Sequence, residues 1–172
     1  MAFPLRLLFL LFGISGLLTE VLSFKVIRQK QNNCPHGWTR LDCKCYIYES
    51  EARTFVDAES ICNILGGNLV SVHSNLENAF VRQLVVADSH DPDAAWIGLH
   101  DAIQNGDYIW TDGSDATFLS FNENDAEPNS NTGNCVEIDE GDGLWQTADC
   151  TDKNVYVCAR DVYEPGQRVV SS

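Results

Sequence analysis

The sequence predicts an α+β domain, and three observations predict it. Two capped, helix-periodic stretches fill the first half of the chain. Short strand signals separated by turns fill the second half. Seven cysteines, spread from Cys34 to Cys158, point to a fold stapled by disulfides.

Taken in order, residues 1–23 read as an address rather than as fold. Arg6 is followed by an apolar stretch of about 12 residues, Leu7 to Leu18, and then by Thr19 to Ser23. That stretch is too short for a spanning helix, which needs about 20 residues. A secretory signal peptide over 1–23 is expected, with a polar lead-in over 24–33. No later segment is apolar and long enough to span a membrane. Removing 1–23 takes away Arg6 and Glu20, so the net charge is unchanged. The remaining chain enters an oxidising compartment, where cysteines pair.

Tyr46-Ile47-Tyr48 reads as a strand. Thr54 and Asp57 have capping-box spacing, with Asp in place of Glu. Phe55, Ala58, Cys62 and Leu65 then recur at helical spacing, and Gly66-Gly67 supplies a stop. Ser74 and Glu77 form a second capping box, opening a helix to about Val86 with Leu76, Phe80 and Leu84 on one face. Trp96 to Leu99 is a short apolar run. Asn105-Gly106 signals a hairpin before Tyr108-Ile109-Trp110, and Asp112-Gly113 another turn. A long polar stretch follows, Ser114 to Asn134, broken only by Phe118, Leu119 and Phe121. A loop of this length inside a compact domain is either functional or a sign that the element assignment is wrong there. Cys135 to Ile138 and Asn154 to Cys158 alternate as strands, with a turn at Gly141-Asp142-Gly143 between them.

Composition narrows the function. The chain carries 11 Lys+Arg against 25 Asp+Glu, a formal net charge of −14, with 44% hydrophobic residues. The apolar content supports a packed core. The charge excludes the basic footprint of a nucleic-acid binder and adsorption to anionic lipid. No Lys or Arg occurs between Arg82 and Lys153, a stretch that holds Asp101, Asp112, Glu127, Glu137, Asp149 and further acids. Such a field attracts cations, and equally it solvates a secreted protein. No His-x-x-x-His pair, phosphate-binding glycine loop or Gly-x-Ser-x-Gly elbow is present, so no enzyme is expected. No Asn-x-Ser/Thr sequon occurs. Of the four tryptophans only Trp145 adjoins a candidate site; Trp38, Trp96 and Trp110 are expected in the core.

Residues 34–160 resemble the C-type lectin-like domain family, leaving 161–172 as a tail. Cys34-Pro35-His36-Gly37-Trp38 with Cys45-Tyr46 resembles the opening of its long form, Phe55 to Cys62 its first helix, and Gly67 to Val72 the stretch that follows. Trp96-Ile97-Gly98-Leu99 is similar to its central strand motif. Glu127-Pro128-Asn129 is similar to its sugar-specificity tripeptide, and Cys135, Trp145, Cys150 and Cys158 fall at its spacings. The small single-domain form is similar to soluble lectins and ice-binding proteins of fishes. The resemblance implies two helices, antiparallel strands and a long ligand-binding loop.

Seven cysteines alone leave too many pairings to resolve. The resemblance implies Cys34–Cys45, Cys62–Cys158 and Cys135–Cys150. Closing the long loop between Cys62 and Cys158 would stabilise the domain by roughly 4–5 kcal/mol on the chain-entropy view. Cys43 is then left over. It is either an exposed thiol that links two chains into a homodimer, a buried or capped thiol, or the partner of Cys34 in place of Cys45.

In the family one Ca2+ sits in the long loop and ligates two sugar hydroxyls. Such an ion takes six to eight oxygen ligands. The resemblance implies ligands from Glu127 and Asn129 around a cis proline, from a carboxylate two residues before the next cysteine, and from an Asn-Asp pair after the tryptophan. Glu-Pro-Asn is the mannose-type tripeptide. Gly133, Gln146 and Thr147 occupy the other three positions. Calcium is therefore expected to be weak, in about the millimolar range, or absent. Asn131, Asn134, Glu137 and Asp149 are candidate substitutes. Either the tripeptide works in a Ca2+–sugar site or it survives only to shape the loop. The expected function is glycan recognition of an innate-immune kind, Glu127, Asn129, Gln146 and Thr147 lining the sugar pocket. The alternative is a calcium-independent domain that binds a protein partner or ice.

Overall fold

A computed structural model describes residues 34–88, 94–129 and 131–162. The expected signal peptide, lead-in and most of the 161–172 tail lie outside the described residues. Among the described residues eight strands and two α-helices follow in the order β1 (Thr39–Leu41), β2 (Lys44–Arg53), α1 (Phe55–Ile64), β3 (Asn68–Leu69), α2 (Asn75–Asp88), β4 (Ala94–His100), β5 (Ile109–Trp110), β6 (Cys135–Asp139), β7 (Trp145–Ala148) and β8 (Asn154–Asp161). Among the described residues no helix is long and apolar enough to cross a membrane.

The α+β expectation holds, with one refinement. The strands lie in the order β1-β2-β8-β4-β6-β7, with β3 on β8 and β5 on β4. Every pairing is antiparallel except β4 with β8, which is parallel, so the sheet is mixed. Tyr46 faces Ala159 and Tyr48 faces Val157 across β2 and β8, so the two ends of the domain are zipped together.

Alternation on the central strand explains the two-sided core. Ala95, Ile97 and Leu99 of β4 point into one cluster, with Val81 and Val85 of α2, Trp110, Val136 and Trp145. Trp96 points into the other, with Phe55, Ala58 and Cys62 of α1, Leu69 and Tyr156. A strand buried on both faces reads as a continuous apolar run, as β4 does.

The helix signals act at the atoms. Thr54 Oγ1 accepts from the Asp57 amide at 3.3 Å, and its hydroxyl donates to Asp57 Oδ2 at 2.9 Å. Gly66 stops α1 at φ +86°. Gly67 lets β8 pass, since a Cβ there would lie 2.0 Å from the Ala159 carbonyl oxygen. At α2, Ser74 Oγ accepts from the Glu77 amide at 3.2 Å, but Glu77 reaches one residue further back, to the His73 amide at 2.6 Å. The expected apolar face is corrected here. Leu76 is 63% exposed, because the buried stripe runs through Val81 and Val85 with Phe80 and Leu84 beside them, and Leu76 falls a turn beyond the core's edge.

Disulfides join Cys34 to Cys45, Cys62 to Cys158 and Cys135 to Cys150. Cys43 is exposed and forms none, at the turn between β1 and β2. The Asn105-Gly106 turn is present, with Gly106 at φ +81°, but β4 and β5 pair only at Leu99–Trp110 and His100–Ile109, so the connection is longer than a two-residue hairpin.

Candidate functional site

The segment between the Asp112-Gly113 turn and β6 is held in two different ways. Its first half is anchored by aromatic rings. Phe118 and Phe121 meet Trp145 edge-on at centroid distances of 5.7 and 5.9 Å, and Tyr108 lies 5.0 Å from Phe121. The Trp145 amide donates to Ser120 O at 2.8 Å and the Asn122 amide to Trp145 O at 2.9 Å, so Phe121 runs alongside β7. Trp145 Nε1 donates to Asn78 Oδ1 at 2.8 Å, giving the buried indole its one required partner. Trp145 has no exposed surface. It is therefore core, and the expectation that it borders a ligand is corrected: its ring points inward from β7.

The second half is held by polar groups. A 3-10 turn, Glu123–Asp125, leads to Ala126 at φ +58° and then to a cis Glu127–Pro128 bond. Glu127 Oε2 accepts from the amides of Asn129 (2.9 Å) and Thr147 (3.0 Å) and from the Thr147 hydroxyl (2.6 Å). Asn129 Oδ1 accepts from the Asn131 amide and side chain, both at 3.1 Å. Thr132 Oγ1 lies 2.6 Å from both Asn129 O and Thr147 Oγ1. A hydroxyl has one proton and a carboxylate only accepts, so Thr147 donates to Glu127 and Thr132 supplies its own proton to the cluster. Thr147 is 5% exposed.

The four expected sugar residues are not all brought together. Glu127, Asn129 and Thr147 form one cluster. Gln146 faces the opposite side of β7, because it pairs with Glu137 while Thr147 pairs with Val136, and successive residues of a strand alternate. The fifth expected ligand position, Gly133, is closed: a Cβ there would lie 1.9 Å from Ala148 O and 2.5 Å from Asp149 N. Of the candidate substitutes Asn131 stays within the cluster as a donor, and the others are committed elsewhere. Asn131 braces Asn129, and Asn134 donates to Asp101 at 2.9 Å. Glu137 accepts from Asn154 at 2.5 Å on the Gln146 side, and Asp149 caps its own turn through Thr151. Among the described residues no group of three or more His, Cys, Asp or Glu could hold a metal ion. This donor set does not fit an ion that needs six to eight oxygens.

Sequence reasoning missed Asp101 as an anchor. It is 1% exposed; its carboxylate accepts from Asn134 and, at 2.7 Å, from the Gly106 amide, tying the β4–β5 connection to the end of the long loop. A lone Asp after an apolar run carried no signal for this. Thr132 was also missed as part of the cluster, since only the fold brings it beside Thr147.

Tyr46, Glu137 and Tyr108 are shifted furthest from their ordinary values, and burial raises all three. Burial pushes Glu137 up to about 7, opposed by the Asn154 hydrogen bond and reinforced by Asp152, Asp139 and Glu127. Burial, then Asp101 and Glu127, push Tyr108 up to about 12.

Residues 51–160 match the model of the Lectin C-type domain. Among known proteins the chain is similar to the galactose-specific lectin nattectin of Thalassophryne nattereri, 28% identical over 80% of this chain and 86% of that one. It is similar to human lithostathine-1-alpha, 35% identical over 76% of this chain and 80% of that one. Among solved structures it is similar to herring type II antifreeze protein, with a TM-score of 0.68 and 27% identity over 76% of this chain and 100% of that one.

Proposed function

The chain belongs to the C-type lectin domain family, and from that premise we propose that it is a secreted, glycan-binding protein whose ligand site is the loop around Glu127 and Asn129. The observation that carries the reading is the position of Glu127-Pro128-Asn129: Pro128 is exposed and Asn129 half-buried at the end of the long loop. A sugar hydroxyl both donates and accepts, so the amide of Asn129 and the Asn131 and Thr132 side chains beside it suit such a ligand. The tripeptide is the mannose-type form, although the relative nattectin carries galactose in its name. Calcium contributes weakly or not at all to this binding. The reading involves no catalysis.

The similarity to an antifreeze protein supports a second reading, an ice- or protein-binding domain. Retention on mannose and galactose columns, with calcium and then with EDTA, separates the two. Retention on mannose agarose is expected. Failure on both columns would remove the glycan reading, and thermal hysteresis of the same sample would then support ice.

A further inference from the structure

We infer that the Thr147 hydroxyl replaces the cation of the family's sugar site, so that hydrogen bonds alone lock this loop. The inference refines the site named above, yet it concerns the loop and stands whether or not a sugar is retained. Three observations carry it. First, the Glu127 carboxylate oxygen Oε2 already accepts three hydrogen bonds. Two of those donors are backbone amides, and the Thr147 amide belongs to β7, in register with Val136. A cation at Oε2 would meet the positive ends of both N–H dipoles, and the Thr147 amide cannot turn away without breaking the strand. Second, Thr147 Oγ1 lies 2.6 Å from Glu127 Oε2 and 2.9 Å from Asn129 O, filling the space between the two residues that would ligate the ion. Third, the position where a further carboxylate is expected is barred to any side chain. Gly133 abuts the Ala148 carbonyl and the Asp149 amide, both of them backbone held next to the Cys135–Cys150 disulfide.

The fold therefore meets with neutral donors the demand that calcium would meet with charge. Buried acceptors must be satisfied, and a hydroxyl plus two amides satisfies a carboxylate oxygen as completely as a cation would. An acid at 147 without an ion would set two carboxylates within hydrogen-bond reach, each raising the other's pKa.

The test uses the mature protein with its disulfides intact. Thermal melts in millimolar CaCl2 and in EDTA are expected to give one Tm, and calorimetric titration with CaCl2 no heat of binding. Amide exchange by NMR reads the lock directly: the Asn129 and Thr147 amides should stay protected in EDTA. Thr147→Val keeps the volume and removes the hydroxyl. It should lower Tm equally in both buffers and speed exchange at Asn129. A Tm that rises with calcium, a saturable calcium heat, or loss of protection in EDTA would overturn the inference. Failure on the sugar columns with these results intact would overturn only the glycan reading.

Discussion

The two halves of the long loop lack regular structure for most of their length, yet different forces hold them. Residues 114–121 are pinned by Phe118 and Phe121 against Trp145, that is, by apolar burial and ring geometry. Residues 122–129 and 131–134 are pinned by Glu127, Thr147, Asn129 and Thr132, that is, by hydrogen bonds among side chains and amides. Burial is non-directional and scales with the apolar area removed from water. A polar cluster is directional and costly when any member is left unpaired. A ligand made of hydroxyls can engage the second half and gains little from the first. The apolar half is the base on which the polar half is presented, with Trp145 and Thr147 placed two residues apart on the same face of β7.

The largest effect is expected where that base is removed. Phe121→Ala opens a space beside Trp145 and Tyr108. For a half-buried phenylalanine the cost is about 2–3 kcal/mol, below the range for full burial. Urea unfolding should show this loss, equal in calcium and in EDTA. The variant should also loosen the polar half, because Asn122, which follows Phe121, is hydrogen-bonded to Trp145 O. If amide exchange at Asn129 stays unchanged in Phe121→Ala, the two halves are held independently of each other.

The first half was the more legible in the sequence. Phe118 and Phe121 stand out in a polar stretch, and apolar residues there need a core to meet. Both helices were announced by caps, since Thr54 and Ser74 act through their own neighbours within one turn. The polar half was legible only in part. Glu127 and Asn129 could be named from the resemblance, but their partners lie 18 to 20 residues away at Thr147, a pairing that no local rule encodes. The strand β7 was missed because Trp-Gln-Thr-Ala is only four residues long, and its pairing with β6 decides its state. Gln146 was misjudged for the same reason. Without knowledge of a strand, two consecutive residues seem to share a pocket, whereas the pleat sends them to opposite faces.

A smaller effect separates the halves by pH. Glu137 pairs with Gln146 on β7, on the face away from Thr147, and titrates at about 7 in the folded protein. Its ordinary value is near 4.5. The folded state thus holds this proton more tightly than the unfolded chain. The resulting stability is fully present below about pH 4.5 and is lost as pH rises through about 7. Discounted for partial exposure and for coupling to Asp152, Asp139 and Glu127, the loss is about 1–2 kcal/mol at pH 8. Glu137→Gln keeps an acceptor for Asn154 and removes the titration. In urea melts it should match the wild type at pH 4 and exceed it at pH 8. Equal differences at both pH values would show that burial of the acid is not what sets its pKa.

The smallest effect on either half is expected from Cys43→Ser. Cys43 lies at the turn joining β1 to β2, and β1 is at the opposite edge of the sheet from β7. The serine is nearly the same size, the residue is exposed, and no disulfide is lost, so stability should change by less than about 0.5 kcal/mol. What should change is assembly. An unpaired exposed thiol in an oxidising compartment pairs between chains, so the wild type should run as a dimer in non-reducing electrophoresis and the variant as a monomer. Two linked copies would present two polar half-loops at once. Retention on a dense glycan surface should then fall more in the variant than affinity for a single soluble sugar does, because the second contact of a linked pair benefits from effective concentration. If wild type and variant both run as monomers, one copy carries one loop, and any glycan retention rests on the Glu127–Thr147 cluster of that copy alone.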